Sequence, residues 1–390
     1  MAQDFKIKNI RAYALEVPIK DLQTPPESLP YYQELKNVVF GSYKSVIVEV
    51  ENEDGTRGIG ECMTRIAPGA LISIIDEVMK PIALGKDPLD HELIWEEIYG
   101  VMRQRGHSKG FYIEALSGVD IAIWDLTGKL LHKPISKLLG GKYRDKLECY
   151  ASSIRFKKPS DITSEVQKVI EDGFTKVKLK IGRGVDEDIA AVKAVRDNFG
   201  DAVKIMVDAN SGFNVSSALQ VGKKLEKYEV LWFEEPIPPD NLPGYAELSR
   251  ALDIPIAAGE SEFTRYGFRD LIERGGIKVI QPNVGRAGGF TELKKILALS
   301  SSYGIPYAPH TGSSSALTMA AEMQLAANSP DFLIYEYMKN AWSHEQPNPL
   351  NSDLLTEKIK PPVNGYLTVG NGDGLGVSLN EETVSRYLIQ

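Results

Sequence analysis

Apolar and polar positions alternate over Phe5–Val17 and again over Ser45–Val50, and Glu53-Asp54-Gly55 supplies a hairpin turn before Gly58-Ile59-Gly60-Glu61. This period of two predicts strands at the start of the chain. Between them, Pro18 to Gly41 carries Pro25, Pro26, Pro30, Tyr31 and Tyr32 and predicts a long loop. From Gly69 the period lengthens. Ile72, Ile75 and Val78 recur at helical spacing, as do Ile94, Ile98 and Met102. Ala115 to Leu131 is apolar on most sides and predicts a buried helix that stops near Pro134. Leu138-Leu139-Gly140-Gly141 then marks a break.

From Leu147 to about Glu336 one unit repeats: a short apolar strand, a polar turn and an amphipathic helix. Strands are expected at Glu148–Ser152, Phe174–Ile181, Val203–Val207, Val230–Phe233, Ile256–Ala258, Lys278–Gln281, Tyr307–Pro309 and Phe332–Tyr335. Strand–helix alternation implies parallel pairing with right-handed crossovers, and eight units fit a closed (β/α)8 barrel. An open doubly wound sheet is the alternative, but no strand is followed by the Gly-x-Gly-x-x-Gly turn of a dinucleotide site. The expected division is residues 1–140, a barrel over 141–350, and a tail over 351–390. The tail's strand-like stretch Gly365–Leu379 is expected to fold back on the N-terminal part.

Composition narrows the class. The chain has 390 residues, 43% hydrophobic and 25% charged, the balance of a globular protein with a large core. Its 45 Lys and Arg against 53 Asp and Glu leave a net charge of −8, so no basic field points to nucleic acid or anionic lipid. Cys62 and Cys149 lie far apart in no metal-ligand spacing. With no signal-like N-terminus and no run of about 20 apolar residues, a cytoplasmic protein without membrane attachment is expected.

Nearly every predicted barrel strand ends in a polar residue: Lys178 and Lys180, Asp208 and Asn210, Glu234, Glu260, Asn283, His310 and Glu336. From Lys180 to Glu336 the intervals are 28, 26, 26, 23, 27 and 26 residues, one strand–helix unit each. A closed barrel brings all of them to one mouth, the end where barrel enzymes carry their chemistry. Asp208, Glu234 and Glu260 on consecutive strands would repel one another unless a cation lies among them. An all-oxygen set suits a hard ion, Mg2+ first and Mn2+ second. In Phe174–Ile181 the residues Val177, Leu179 and Ile181 share the face that packs on helices. That turns Lys176, Lys178 and Lys180 inward, where burial would bias a lysine toward use as a base. His310 is the one histidine of five at a predicted strand end, facing Lys180 as a second acid/base.

These motifs together resemble the enolase superfamily, and within it the mandelate racemase group. Lys-x-Lys, Asp-x-Asn, Glu-Glu-Pro, Gly-Glu and the seventh-strand His match in order and spacing. Ser117–Asp125 with Leu138–Gly141 looks like the segment that joins that family's cap to its barrel. The resemblance implies a modified TIM barrel with an α+β capping domain built from the N-terminal region and the C-terminal tail. It implies Mg2+ held by Asp208, Glu234 and Glu260, with Lys180 and His310 as the acid/base pair. Lys178 and Glu336 would hold the substrate carboxylate beside the metal, with Asn210, Tyr31 and Arg65 as further substrate contacts. Tyr32 and Lys36 are loop candidates for the same task. The implied reaction removes the proton alpha to a carboxylate through an ene-diolate.

At one position the pattern departs from the family, whose sixth strand usually ends in aspartate where this chain has Asn283. Its amide oxygen is expected to accept the imidazole N–H of His310 and to leave that ring with a lowered pKa. The expected activity is dehydration of an aldonate or aldarate to a 2-keto-3-deoxy acid, by a homo-oligomer, a dimer or an octamer. The alternatives are racemisation or epimerisation of a 2-hydroxy or amino carboxylate, a catalytically silent binding protein, and a phosphate site at the Gly285–Gly289 turn.

Overall fold

The computed structural model describes residues 5–18, 42–154, 158, 161–312, 314–338 and 348–389. The chain begins with a three-stranded antiparallel meander, β1 (Ile7–Pro18), β2 (Ser42–Asn52) and β3 (Arg57–Cys62). Against it pack α1 (Pro68–Ile74, continuing through a wide turn at Ile75–Met79 into Lys80–Ala83), α2 (His91–Arg103) and α3 (Phe111–Leu130). The sequence pattern thus translates directly into an α+β cap.

Eight parallel segments follow. β4 (Lys146–Ile154), β5 (Lys176–Lys180), β6 (Lys204–Asp208), β7 (Phe233–Glu234), β8 (Ile256–Ala258) and β9 (Val279–Ile280) lie side by side in chain order. The seventh expected strand shrinks to a single bridge at Tyr307, flanked by Ile280 and Phe332. The eighth, expected at Phe332–Tyr335, pairs as β10 (Tyr335–Met338) with β4 and closes the ring. The connecting helices are α4 (Ile162–Glu171), α5 (Val185–Phe199), α6 (Val215–Leu225), α7 (Leu242–Ala251), α8 (Thr264–Glu273), α9 (Gly289–Ser302) and α10 (Ala316–Asn328). Val177, Leu179 and Ile181 are buried in the layer between sheet and helices. Lys178 and Lys180 therefore point into the barrel, while Lys176, at the strand's other end, ion-pairs with Glu148. The tail splits its attachments: β11 (Tyr366–Thr368) pairs with β4 in the barrel, and Leu388 bridges Leu15 in the cap. No described helix is long and apolar enough to cross a membrane.

Helix α3 ties these parts together. It is buried from Tyr112 to Gly128, and β3 lies directly on its backbone. A Cβ on Gly60 would stand 2.1 Å from the Gly118 carbonyl oxygen, so only glycine allows this approach. The polar residues of α3 are spent on neighbouring backbone. Asp125 accepts the N–H groups of Ile59 (2.8 Å) and Leu375 (2.7 Å), and Ser117 Oγ accepts that of Gly288 (2.9 Å). Asp120 accepts the N–H of Thr291 in the first turn of α9 (3.0 Å) and fills the space a Cβ on Gly289 would need. The Gly285–Gly289 turn is therefore no phosphate site, because the anion position at this helix start is held by a side chain of the protein itself.

Burial pushes the Asp120 carboxyl up to about 7, against its hydrogen bonds to Thr291 and Phe290. The unfolded carboxyl titrates near 3.9, so between about pH 4 and 7 the unfolded chain releases a proton that the folded chain keeps. This group therefore makes the fold less stable as pH rises through that window, and the cost stays constant above it. Asp120→Asn should remove the dependence. Denaturant unfolding at pH 4.5 and pH 8 should show the variant gaining on the parent by about 3 kcal/mol at the higher pH.

Candidate active site

The barrel register aligns Lys180 with Asp208 and Asp208 with Glu234, and Glu260 follows one turn beyond β8. Side chains that share a register on neighbouring strands point to the same mouth. Asp208, Glu234 and Glu260 each bring a carboxylate oxygen to within 4.8 Å of the others, all three buried.

The lysines are threaded between these acids. Lys178 Nζ lies 2.6 Å from Glu234 Oε1, 2.8 Å from Glu336 Oε1 and 3.7 Å from Asp208 Oδ2, with the Tyr150 ring 5.4 Å away. Lys180 pairs with Asp208 and donates to Asn210 Oδ1 (2.7 Å). Burial alone would depress the Lys178 ammonium, but Glu234 and Glu336 outweigh it and hold it well above its usual range. The sequence expectation that burial biases these lysines toward basic use fails for Lys178, which is a fixed cation. Burial likewise opposes ionisation of Glu336 and Asp208, and the lysines reverse it for both. Glu234 goes the other way: burial and the charges of Asp208, Glu336 and Glu260 push it up to about 8 despite Lys178.

A fifth carboxyl belongs to Glu235, to which the sequence reading gave no role beyond its place in Glu-Glu-Pro. Strand alternation would turn it away from Glu234's face. Its backbone instead enters the left-handed region at φ 37° and turns the side chain into the mouth, where burial raises its pKa well above normal. The outer bonds of Glu234 were missed as well. Trp232 Nε1 (3.0 Å) and Gln281 Nε2 (2.6 Å) both donate to Oε2, which fixes the carboxylate plane. Ser152 Oγ and the Thr311 N–H do the same for Glu336, at 2.5 and 2.7 Å.

The geometry corrects the expectation for Asn283. Its Oδ1 accepts the Gly285 N–H (2.9 Å), and its Nδ2 donates to the His310 carbonyl (2.9 Å) and Ser314 Oγ (3.1 Å). A backbone N–H can meet only the oxygen and a carbonyl only the nitrogen, so the amide orientation is determined. What stands 3.4 Å from His310 Nδ1 is therefore the amide nitrogen and not the expected oxygen, and its two hydrogens go to the His310 carbonyl and Ser314 Oγ. On the other side of the ring, Nε2 lies 3.3 Å from Glu260 Oε2. Burial lowers the ring's pKa, the direction expected.

A cavity of about 550 Å3 opens above these groups. Its wall joins the cap, through Thr64, Arg65 and Ile66, to Asn210, Glu235 and Glu260 of the barrel. Arg286 also lines it, 3.2 Å from the buried Glu114. The sequence candidates Arg65 and Asn210 thus reach the cavity, whereas Tyr31, Tyr32 and Lys36 lie outside the described residues. The donor set suits a divalent cation: three buried carboxylates converge, their site holds more acids than ammonium groups, and no sulfur or imidazole takes part in the cluster.

Asn283→Asp would set a carboxylate oxygen against the His310 carbonyl oxygen, now 2.9 Å from Nδ2. The variant should lose about 2 kcal/mol of stability at pH 8 in denaturant unfolding. A variant as stable as the parent would mean the amide is turned the other way.

Comparison with known proteins agrees with this architecture. Residues 31–140 match the mandelate racemase/muconate lactonizing enzyme N-terminal domain, and residues 161–383 match the enolase C-terminal domain-like model. D-galactarolactone cycloisomerase of Agrobacterium fabrum is 34% identical, over 98% of each chain. Arabinonate dehydratase of Saccharolobus solfataricus is 32% identical, over 98% of this chain and 99% of that one. The 3,6-anhydro-D-galactonate cycloisomerase of Zobellia galactanivorans superposes with a TM-score of 0.86 at 31% identity, covering 99% of this chain and 100% of that one. The chain is an enzyme of the enolase superfamily and belongs to its mandelate racemase/muconate lactonizing enzyme family.

Proposed function

We propose that this enzyme is a Mg2+-dependent lyase of acid sugars. It removes the proton alpha to the carboxylate and expels the beta oxygen, giving a 2-keto-3-deoxy acid. The observation that carries this reading is the placement of two acid/base side chains on either side of three converging carboxylates. Lys180 Nζ, on the second strand, lies beside Asp208, and His310 Nε2, on the seventh, lies 3.3 Å from Glu260 Oε2. A base on one side and an acid on the other suit elimination.

Asp208, Glu234 and Glu260 would hold the ion. Bound there, it would stabilise negative charge developing on the substrate carboxylate, as a Lewis acid does. The other side chains act on the substrate directly. Lys178, kept charged by Glu234 and Glu336, offers a fixed cation to the same carboxylate. Lys180, with its own proton shed, takes the alpha proton. The C–H electron pair becomes the new C=C bond, and the beta C–O bond breaks as His310 in its imidazolium form gives its Nε2 proton to the departing oxygen, so that water leaves, the ring returns to neutral and the enol ketonises. Asn210, bonded to Lys180, keeps the amine aimed at the cavity. When the leaving oxygen belongs to a ring of the substrate, the same elimination opens that ring. The whole-length likeness to two cycloisomerases favours that variant as a second reading.

The test is a panel of five- and six-carbon aldonates, aldarates and their cyclic forms, incubated with Mg2+ in D2O and assayed for ketoacid by semicarbazide. Lys180→Ala should lose alpha-proton exchange and ketoacid together, by about 10³-fold or more. His310→Asn should retain exchange and lose ketoacid formation by about 10²-fold. The opposite pattern, exchange lost only in the His310 variant, would overturn the assignment. Chelation should abolish activity and Mg2+ restore it, and Asp208→Asn should abolish calorimetric Mg2+ binding.

A further inference from the structure

Two guanidinium groups, one from the cap and one from the barrel, meet on the wall of the active-site cavity. Arg286 lies in the turn after β9, between the strand that leads to Glu260 and the one that leads to His310. Arg65 lies in the cap segment that follows β3. A backbone bond brings the two segments together, the Met63 N–H donating to the Gly285 carbonyl (2.9 Å). Both arginines line the cavity, which is bounded on its barrel side by Asn210, Glu235 and Glu260. Its volume of about 550 Å3 falls in the range of ~300–1,000 Å3 common for small-molecule sites.

Arg286 is fixed but not saturated. The Phe263 ring lies under its guanidinium, 5.0 Å to the centroid, and its Nε stands 3.2 Å from Glu114 Oε1. Neither terminal nitrogen hydrogen-bonds to another described residue, and 25% of the side chain stays exposed where it lines the cavity. The charge of Arg65 acts on Glu114 and on His310, which sets this arginine within reach of both. A planar fork with N–H groups to spare matches a carboxylate through two parallel bonds. Glu114 offsets part of the positive charge, so the wall suits a singly charged carboxylate better than a doubly charged phosphate. The first carboxylate of an acid sugar is taken by Lys178 and the cation site, so the anion that Arg286 meets is a second one.

We propose that Arg286, with Arg65 beside it, binds a second carboxylate at the far end of the substrate. The enzyme then takes dicarboxylic acid sugars, aldarates and their monolactones, in preference to aldonates, whose far end is a primary alcohol. The proposal rests on the elimination proposed above and narrows its substrate class. The guanidinium–carboxylate pair forms when substrate binds, before any proton moves, so its loss raises KM more than it lowers kcat.

Matched pairs of six-carbon acids test it, each pair sharing one configuration and differing only at the sixth carbon, carboxylate against CH2OH. In the parent with Mg2+, kcat/KM for ketoacid formation from the dicarboxylate should exceed that from its aldonate by about 10- to 100-fold. Arg286→Gln should lower that ratio by about tenfold or more, through a higher KM for the dicarboxylate. Arg286→Lys, which keeps the charge but not the fork, should recover part of it. Equal parent rates on the two members of a pair would overturn the proposal. So would an Arg286→Gln loss that is the same for both members and tracks thermal stability, since Arg286 would then only brace Glu114. A preference for 6-phosphorylated aldonates over dicarboxylates would overturn it too, by assigning the anion as phosphate. Should neither variant fold, the parent's ratio still decides. Ketoacid from aldonates alone sinks this inference and leaves the proposed function standing. Ketoacid from no acid sugar refutes the proposed function, and calorimetry with the same pairs and Mg2+ then judges the subsite: dicarboxylate binding about tenfold tighter supports it, and equal binding refutes it.

Discussion

Five carboxyl groups and two ammonium groups share one dry mouth, and the rest of the barrel's upper rim is organised around that imbalance. Asp208, Glu234, Glu235, Glu260 and Glu336 are each nine-tenths buried or more, as are Lys178 and Lys180. Uncompensated charge of this density is expensive in a low-dielectric interior. Lys178 relieves it at one end by bridging Glu234 and Glu336, and Lys180 relieves it at Asp208. On the side of the cluster toward Glu260 stands the His310 ring, with Arg65 and Arg286 on the cavity wall. Burial raises the Glu235 carboxyl well above its usual range there, and the Glu234 carboxyl is pushed up beside it. That leaves a place for a cation, which follows from the residues without reference to any relative.

The strand ends that create this crowd share a backbone device. Asn210 and Ser211 after β6, Glu235 after β7 and Gly259 after β8 all have positive φ. Each strand kinks as it leaves the sheet, so consecutive residues can face one mouth instead of alternating. This sets the limit of what was legible in the sequence. The barrel, the inward lysines and the three converging acids followed from period and spacing, because parallel strands joined by helices must bring strand ends together. The second glutamate of Glu-Glu-Pro could not be placed, since the alternation rule fails at a left-handed residue. The seventh strand was overstated for a related reason: Tyr307 and Ala308 are buried like strand residues, but only Tyr307 bridges, once to Ile280 and once to Phe332.

The Gly-rich turn shows a different failure. Composition and position made Gly285–Gly289 a possible anion site, and the start of α9 does receive an acidic side chain. That side chain is Asp120 of α3, 169 residues earlier in the chain than Gly289. Glu61 does the same at α10, where it accepts the N–H groups of Ser315 and Thr318. Cap and barrel thus share an apolar core and are joined as well by carboxyl groups inserted at helix starts, and no local sequence window holds both partners of such a bond. Asp120 and Asp125 were quoted only as part of the motif that carries the resemblance. Their work as anchors is visible only once β3, α9 and the C-terminal tail are in place around α3.

Asn283 brings the two themes together. An aspartate at this position would suit an imidazolium, and an enzyme with such a pair can use its histidine as a base. Here the amide is committed on three sides, to Gly285, to Ser314 and to the carbonyl of His310 itself. A carboxylate could satisfy the first two partners but not the carbonyl. The backbone around His310 has therefore adapted to an amide, and the change from acid to amide is built into the turn. Its structural consequence is that no carboxylate stands behind Nδ1 of the His310 ring, which burial biases toward its neutral form. Lys178, by contrast, is held charged between Glu234 and Glu336. The two sides of the mouth thus differ in what backs their nitrogen groups: carboxylates pair directly with the lysines, and an amide stands behind the imidazole.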